Sequence, residues 1–162
     1  EFEAFLLEVL SDFQVSVPEL GTIKAKVKPI VFLTSNNTRE MSDALKRRCL
    51  HLHITFPEPA LERRILERRV PGLSETLNRE LVAFVQAVRQ LDLKKLPSVS
   101  ETIDWAKTLL LLNAEHLSLD LVRDTLNVFL KFEQDIATAN EQMGNLLQQA
   151  RKDAEVSHAS HT

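Results

Sequence analysis

The sequence predicts a two-part chain, an α/β segment with a hairpin and two core strands, followed by an all-α segment of four helices. Three observations carry that prediction. The apolar period changes from 3.6 residues to two near Phe13. A continuous β-rich run, Ile30-Val31-Phe32-Leu33, reads as a strand covered on both faces of a parallel sheet. Finally, Phe56-Pro57-Glu58-Pro59 breaks the chain, and the apolar patterns after it are helical. The expected divisions are 1–57, 58–152 and a frayed tail at 153–162.

Each element has its own signal. Phe2, Phe5, Leu6, Val9, Leu10 and Phe13 fall on one face of an opening helix. Val15 and Val17 then alternate, and Pro18-Glu19-Leu20-Gly21 turns the chain. Ile23, Ala25 and Val27 alternate with Lys24, Lys26 and Lys28, which gives a hairpin with one apolar and one basic face. After Pro29 the first core strand runs over 30–33, with 34–37 as its tip. Ser42 and Asp43 can cap a short helix through Arg48. Leu50, Leu52 and Ile54 alternate as the second core strand. Helices are expected near 59–70, 75–91, 100–113 and 118–150, separated first by Pro71-Gly72 and then by Leu96-Pro97-Ser98. In the first of them Leu61, Ile65 and Leu66 point inward and the repeated Glu-Arg-Arg makes a salt-laced exterior. Trp105 is expected to anchor the helical core. An α/β part of under 60 residues with bare strand edges should be marginal or associate, while the helical part should fold adequately.

Composition narrows the function classes. With 27% charged and 44% hydrophobic residues, wholesale disorder is excluded. A net charge of −3 gives no general signal for nucleic acid or an anionic membrane surface. No run of about 18 apolar residues is present, so no transmembrane helix is expected. The single cysteine, Cys49, excludes an internal disulfide framework and fits a reducing, cytoplasmic setting. Glycine occurs only at Gly21, Gly72 and Gly144, which leaves no glycine-rich phosphate loop. The chain opens on Glu1-Phe2-Glu3-Ala4-Phe5 without an initiator methionine and already inside an amphipathic pattern, as the C-terminal part of a longer protein would.

The candidate chemistry sits around the first core strand. Ligands gather at the carboxyl ends of strands in open α/β sheets. Asn36 and Asn37 stand at such an end, where an amide can hold a water or a phosphate oxygen, or simply form an Asx-turn. Lys46-Arg47-Arg48 closes the short helix. It is either a solvated helix end that complements the dipole or a means of presenting an arginine to a neighbour. Cys49, His51 and His53 share one side of a strand, but a zinc site would need a further ligand, so histidines facing solvent or an interface are the simpler account.

In order and spacing, "FEAFLLEVLSDFQVSVPELGTI", "PIVFLTSNNTREMSDALKRRCLHLHI" and "LPSVSETIDWAKTLL" resemble the MoxR branch of the AAA+ ATPases and its relatives in carbon monoxide dehydrogenase maturation. The likeness covers residues 1 to 115 well and the rest loosely. It implies that 1–57 is the C-terminal part of an AAA+ nucleotide-binding core and 58–152 its helical lid. It implies that Asn36, with Asn37 second, is the sensor 1 residue, and that Arg48, with Arg47 as the fallback, is the arginine finger. It also implies ATP and Mg²⁺ in the intact parent, a hexameric ring of AAA+ subunits, and coupling of hydrolysis to client remodelling or metal-cofactor insertion. A von Willebrand factor A domain protein or a metalloenzyme would be the partner. The sequence departs from the family at Ser100, Glu101 and Thr102, where many relatives carry an arginine, and it lacks both Walker motifs, so the chain alone should not hydrolyse ATP. Two rivals remain: a clamp-loader-like subunit, suggested by Arg48-Cys49 but opposed by the opening helix and hairpin, and a stand-alone helical interaction module.

Overall fold

The computed structural model describes residues 2–35 and 41–159, which divide into two compact units, Glu1–Ile54 and Thr55–Thr162. The first unit begins with α1 (Phe2–Asp12), the 3.6-period stretch, followed by β1 (Gln14–Val17) and β2 (Gly21–Lys24). The two strands pair antiparallel with Val15 opposite Ile23 and Val17 opposite Gly21. The turn between them needs left-handed backbone at Glu19 (φ 66°) and Gly21 (φ 80°), which is why a glycine ends it. A four-residue α2 (Asp43–Lys46) packs on α1 through the buried Leu45.

The two core strands expected at 30–33 and 50–54 are not formed among the described residues. A strand exists only through its ladder, and β1 and β2 pair only with each other. The apolar side chains of both stretches therefore face solvent, Phe32 at 88% exposure and Leu52 at 83%. Nor does Ser42 cap α2 with its side chain. Its carbonyl accepts from the Leu45 and Lys46 amides at 3.0 Å each, while its hydroxyl is buried without a partner among the described residues.

The second unit is helical: α3 (Pro59–Arg69), α4 (Glu75–Val88), α5 (Val99–Leu111), α6 (Leu119–Phe129), α7 (Glu133–Glu141) and α8 (Met143–Ala159). Serines set three of the starts. Ser74, Ser98 and Ser118 each accept a backbone N–H from three residues on, and Glu101 returns a carboxylate to the Ser98 amide to complete a capping box. The centre of the core is aromatic. Trp105 stacks on Phe129 with centroids 4.9 Å apart and meets Phe84 at 5.5 Å, and its Nε1–H donates to Thr125 Oγ1 at 2.8 Å. Both units are described among residues in which no helix is long and apolar enough to cross a membrane.

The single helix expected over 118–150 is three helices. Leu130 turns extended (φ −102°, ψ 135°) with no proline or glycine beside it, and Gln142 leaves the helical region (φ −104°, ψ 5°) two residues before Gly144. Tertiary contacts impose the breaks. They bury both Phe129 and Leu130, and they turn α7 so that the buried Asp135 accepts the Lys94 and Lys95 amides at 2.8 and 3.2 Å. At the other end α8 continues past Asp153, where fraying was expected, to Ala159. Through Leu146, Leu147 and Ala150, α8 joins the buried core, and it packs against α4.

Candidate functional site

The sequence-predicted site lies in the first unit, at the end of α2. Leu45, 3% exposed, fixes the short helix on α1 and leaves its last residues outside. Arg48 is exposed and folded back over this contact. Its Nε–H donates to Ser11 Oγ at 2.6 Å and its Nη1 to the Ala44 carbonyl at 2.9 Å. Arg47 caps the helix with its backbone, is exposed, and has no side-chain partner among the described residues. Of the two arginines, Arg48 is therefore held and Arg47 is free to reach outward. Asn36 and Asn37 lie outside the described residues, so the structure does not bring them to Arg48 or separate them from it.

Cys49 is half-buried and His51 and His53 are exposed, and no three His, Cys, Asp or Glu side chains come close enough to hold a metal among the described residues. A nucleotide triphosphate fits these residues no better. A phosphate loop needs successive backbone N–H groups at a strand-to-helix junction, followed by a lysine. Gly21 instead lies in the hairpin turn, Gly72 between α3 and α4, and Gly144 inside α8.

Comparison of the chain with protein-family models, with curated proteins and with solved structures finds no match. Function must therefore be argued from the residues themselves.

The second unit holds a group that the sequence reading placed on the surface. Glu62, assigned to the salt-laced exterior of α3, is fully buried, while Leu61, assigned inward, is half exposed. The helix is rotated so that Glu62 meets Arg89 at the end of α4. Arg89 Nη1 and Nη2 donate to the two carboxylate oxygens at 2.7 Å each, and Nε–H donates to the Pro97 carbonyl at 2.9 Å. Thr102 and Gln86 donate to the same carboxylate at 3.2 and 2.9 Å, and the Phe56 ring covers the guanidinium at 4.4 Å. Thr102, where the family likeness fails for want of an arginine, is thus part of a buried network. The available signal was Arg89 itself, a cation continuing the apolar Val82, Val85 and Val88 face of α4.

Two carboxyl groups are tuned by hydrogen bonds. Glu8 is held below the usual carboxylate range, chiefly by the Ser16 hydroxyl and then by the Ser16 N–H. At Glu101 burial pushes upward, but the Lys95 ammonium and the Ser98 N–H and hydroxyl outweigh it and leave the group lowered.

Proposed function

We propose that the chain is the C-terminal part of a MoxR-type AAA+ ATPase subunit, with 1–57 closing its nucleotide-binding core and 58–152 forming its lid. The observation that carries the reading is the setting of Arg47 and Arg48. They stand exposed at the end of a short helix, between two β-rich stretches whose apolar residues form no strand and are exposed. The continuous apolar run at 30–33 suits a central strand of a parallel sheet covered on both faces, the alternating 50–54 suits a second strand beside such a core, and arginines at the rim of such a sheet can serve a neighbour's site.

In this reading Arg48 gives up Ser11 and the Ala44 carbonyl for the phosphate of an ATP bound, with Mg²⁺, in the adjacent subunit of a hexameric ring. Arg47 is the second candidate for that role. Asn36, with Asn37 behind it, orients the attacking water in its own subunit. The ring couples hydrolysis to remodelling of a client or to metal-cofactor insertion, with a von Willebrand factor A domain protein or a metalloenzyme as partner.

The test is complementation in trans. A complete MoxR-type subunit whose own finger arginine has been replaced is mixed with a saturating amount of this chain. A finger supplied in trans is worth about 10³–10⁵ in rate where it has been measured, so ATPase activity should rise steeply with the intact chain and not with Arg48→Ala. An unchanged rate with the intact chain refutes the proposal.

A further inference from the structure

The two edges of the β1–β2 sheet are finished differently. On β1, the Ser16 N–H points outward and donates to Glu8 Oε2 at 3.2 Å, while the Ser16 hydroxyl donates to Glu8 Oε1 at 2.6 Å. That edge is closed by α1. The inward bonds belong to Val15 with Ile23 and Val17 with Gly21, continued by the Ala25 N–H donating to the Phe13 carbonyl at 2.8 Å. By the alternation of an antiparallel ladder, Thr22 and Lys24 then turn their N–H and C=O groups away from β1. Among the described residues nothing pairs with them, so β2 is an open edge.

Beside this edge lies a groove of about 190 Å³ between α1 and the hairpin, walled by Val9, Phe13, Val15, Ile23, Ala25 and Pro29. Ligand pockets for small molecules run to roughly 300–1,000 Å³, so this one has room for a single aliphatic side chain. Its border is cationic. Lys24, Lys26 and Lys28 are all exposed, and Lys28 Nζ sits 5.3 Å over the Phe13 ring. No carboxylate neutralises the three among the described residues.

We propose that β2 accepts an extended segment of a partner protein in which acidic residues alternate with aliphatic ones. Strand addition supplies main-chain hydrogen bonds to Thr22 and Lys24, with side chains taken by pockets at alternate positions. One aliphatic residue enters the groove, and the acidic residues on either side of it meet the lysines. The same lysines exclude a second copy of this hairpin, because like charges would face each other across the new ladder. Nucleic acid fits less well. Asp12 and Glu19 flank the hairpin, and its one aromatic, Phe13, is covered by Lys28 instead of being free to stack. The proposal does not depend on the role given to Arg48.

The test is fluorescence anisotropy with the whole chain and a labelled eight-residue peptide alternating Glu and Val. Saturable binding is expected, weakened at least about tenfold by Lys24→Glu with Lys26→Glu. A Lys/Val peptide should bind that charge-reversed variant instead, which also shows that the variant is folded. On the unaltered chain, N-methylation of the Glu/Val peptide at one set of alternate residues should abolish binding, and methylation at the other set should spare it. Three results overturn the proposal: no binding of the Glu/Val peptide, binding unaffected by charge reversal, or indifference to N-methylation at both sets. Tighter binding of a thymidine oligonucleotide or of phosphatidylserine vesicles, lost on charge reversal, also overturns it and assigns the lysines to polyanions.

Discussion

Replacing Arg89 with methionine should cost the helical unit more than any other single change in its polar network. The Glu62 carboxylate is fully buried and the Arg89 side chain only 3% exposed, so water cannot take over when the cation is lost. Both 2.7 Å bonds disappear, leaving Glu62 only the Thr102 and Gln86 donors. Breaking a buried pair from one side costs about 3–5 kcal/mol. The Pro97 carbonyl also loses its donor, a further loss of about 1 kcal/mol. For a unit of roughly a hundred residues, a loss of about 4–6 kcal/mol corresponds to a fall in Tm of roughly 20 °C or more.

Removing both charges, with Glu62→Met and Arg89→Met together, should restore much of that loss, because a buried pair replaced by apolar groups of similar volume is often close to neutral. The double variant should still fall short by about 1–2 kcal/mol, since the Pro97 carbonyl and the Gln86 amide remain without the partners they had. The assay is urea unfolding followed by Trp105 emission. Trp105 is the only tryptophan and is fully buried in the second unit, so its signal reports that unit alone. The reasoning is refuted if Arg89→Met costs less than about 1 kcal/mol, or if the double variant costs the sum of the two single ones.

Asp135→Ala should cost about 2–3 kcal/mol, because two backbone N–H groups lose a charged acceptor. Amide exchange at Lys94 and Lys95 should speed up with it, and unchanged exchange there would show that α7 does not hold this loop. Glu101, lowered in the fold, contributes stability that is full above the usual carboxylate value of 4.5 and is lost as pH falls through the lowered one. The midpoint gap between the native chain and Glu101→Gln should therefore be constant near neutrality and shrink in acid. A gap that grows in acid would reverse the sign of the argument.

The sequence was legible where a residue pattern and its burial obey the same local rule. The hairpin followed from alternation and from the glycine demanded at Gly21, and the helix starts near Pro59, Glu75 and Val99 followed from the apolar period and the proline-bearing breaks before them. Trp105 was found because its neighbours share its face. What stayed hidden depends on distant partners. The break at Leu130 carries no breaker residue and arises from burial and from Asp135 reaching a loop some 40 positions away, and Gly144 alone is a weak signal for the one at Gln142. Glu62 looks like one charge among several in LERRILERR until Arg89 is placed opposite it. At the candidate site, Arg47 and Arg48 could be singled out by position, but the contact that restrains Arg48, Ser11 on α1, could not. The stretches 30–33 and 50–54 carry a strand's composition, yet composition supplies no partner strand.

The two units treat apolar and charged groups in opposite ways, and this bears on how each should respond to change. The helical unit buries even an ion pair. The first unit leaves Ile30, Phe32, Leu50, Leu52 and Ile54 in water. Burying such a side chain is worth about 1.5–3 kcal/mol, so five of them forgo on the order of 10 kcal/mol, as much as the whole net stability of an ordinary domain. On the proposed reading, strands that covered these residues would contribute to assembly an amount comparable to folding itself. Substitutions in the helical unit should then shift a unimolecular unfolding transition. Substitutions at Phe32 or Leu52 should leave that transition unmoved and change only what the first unit associates with.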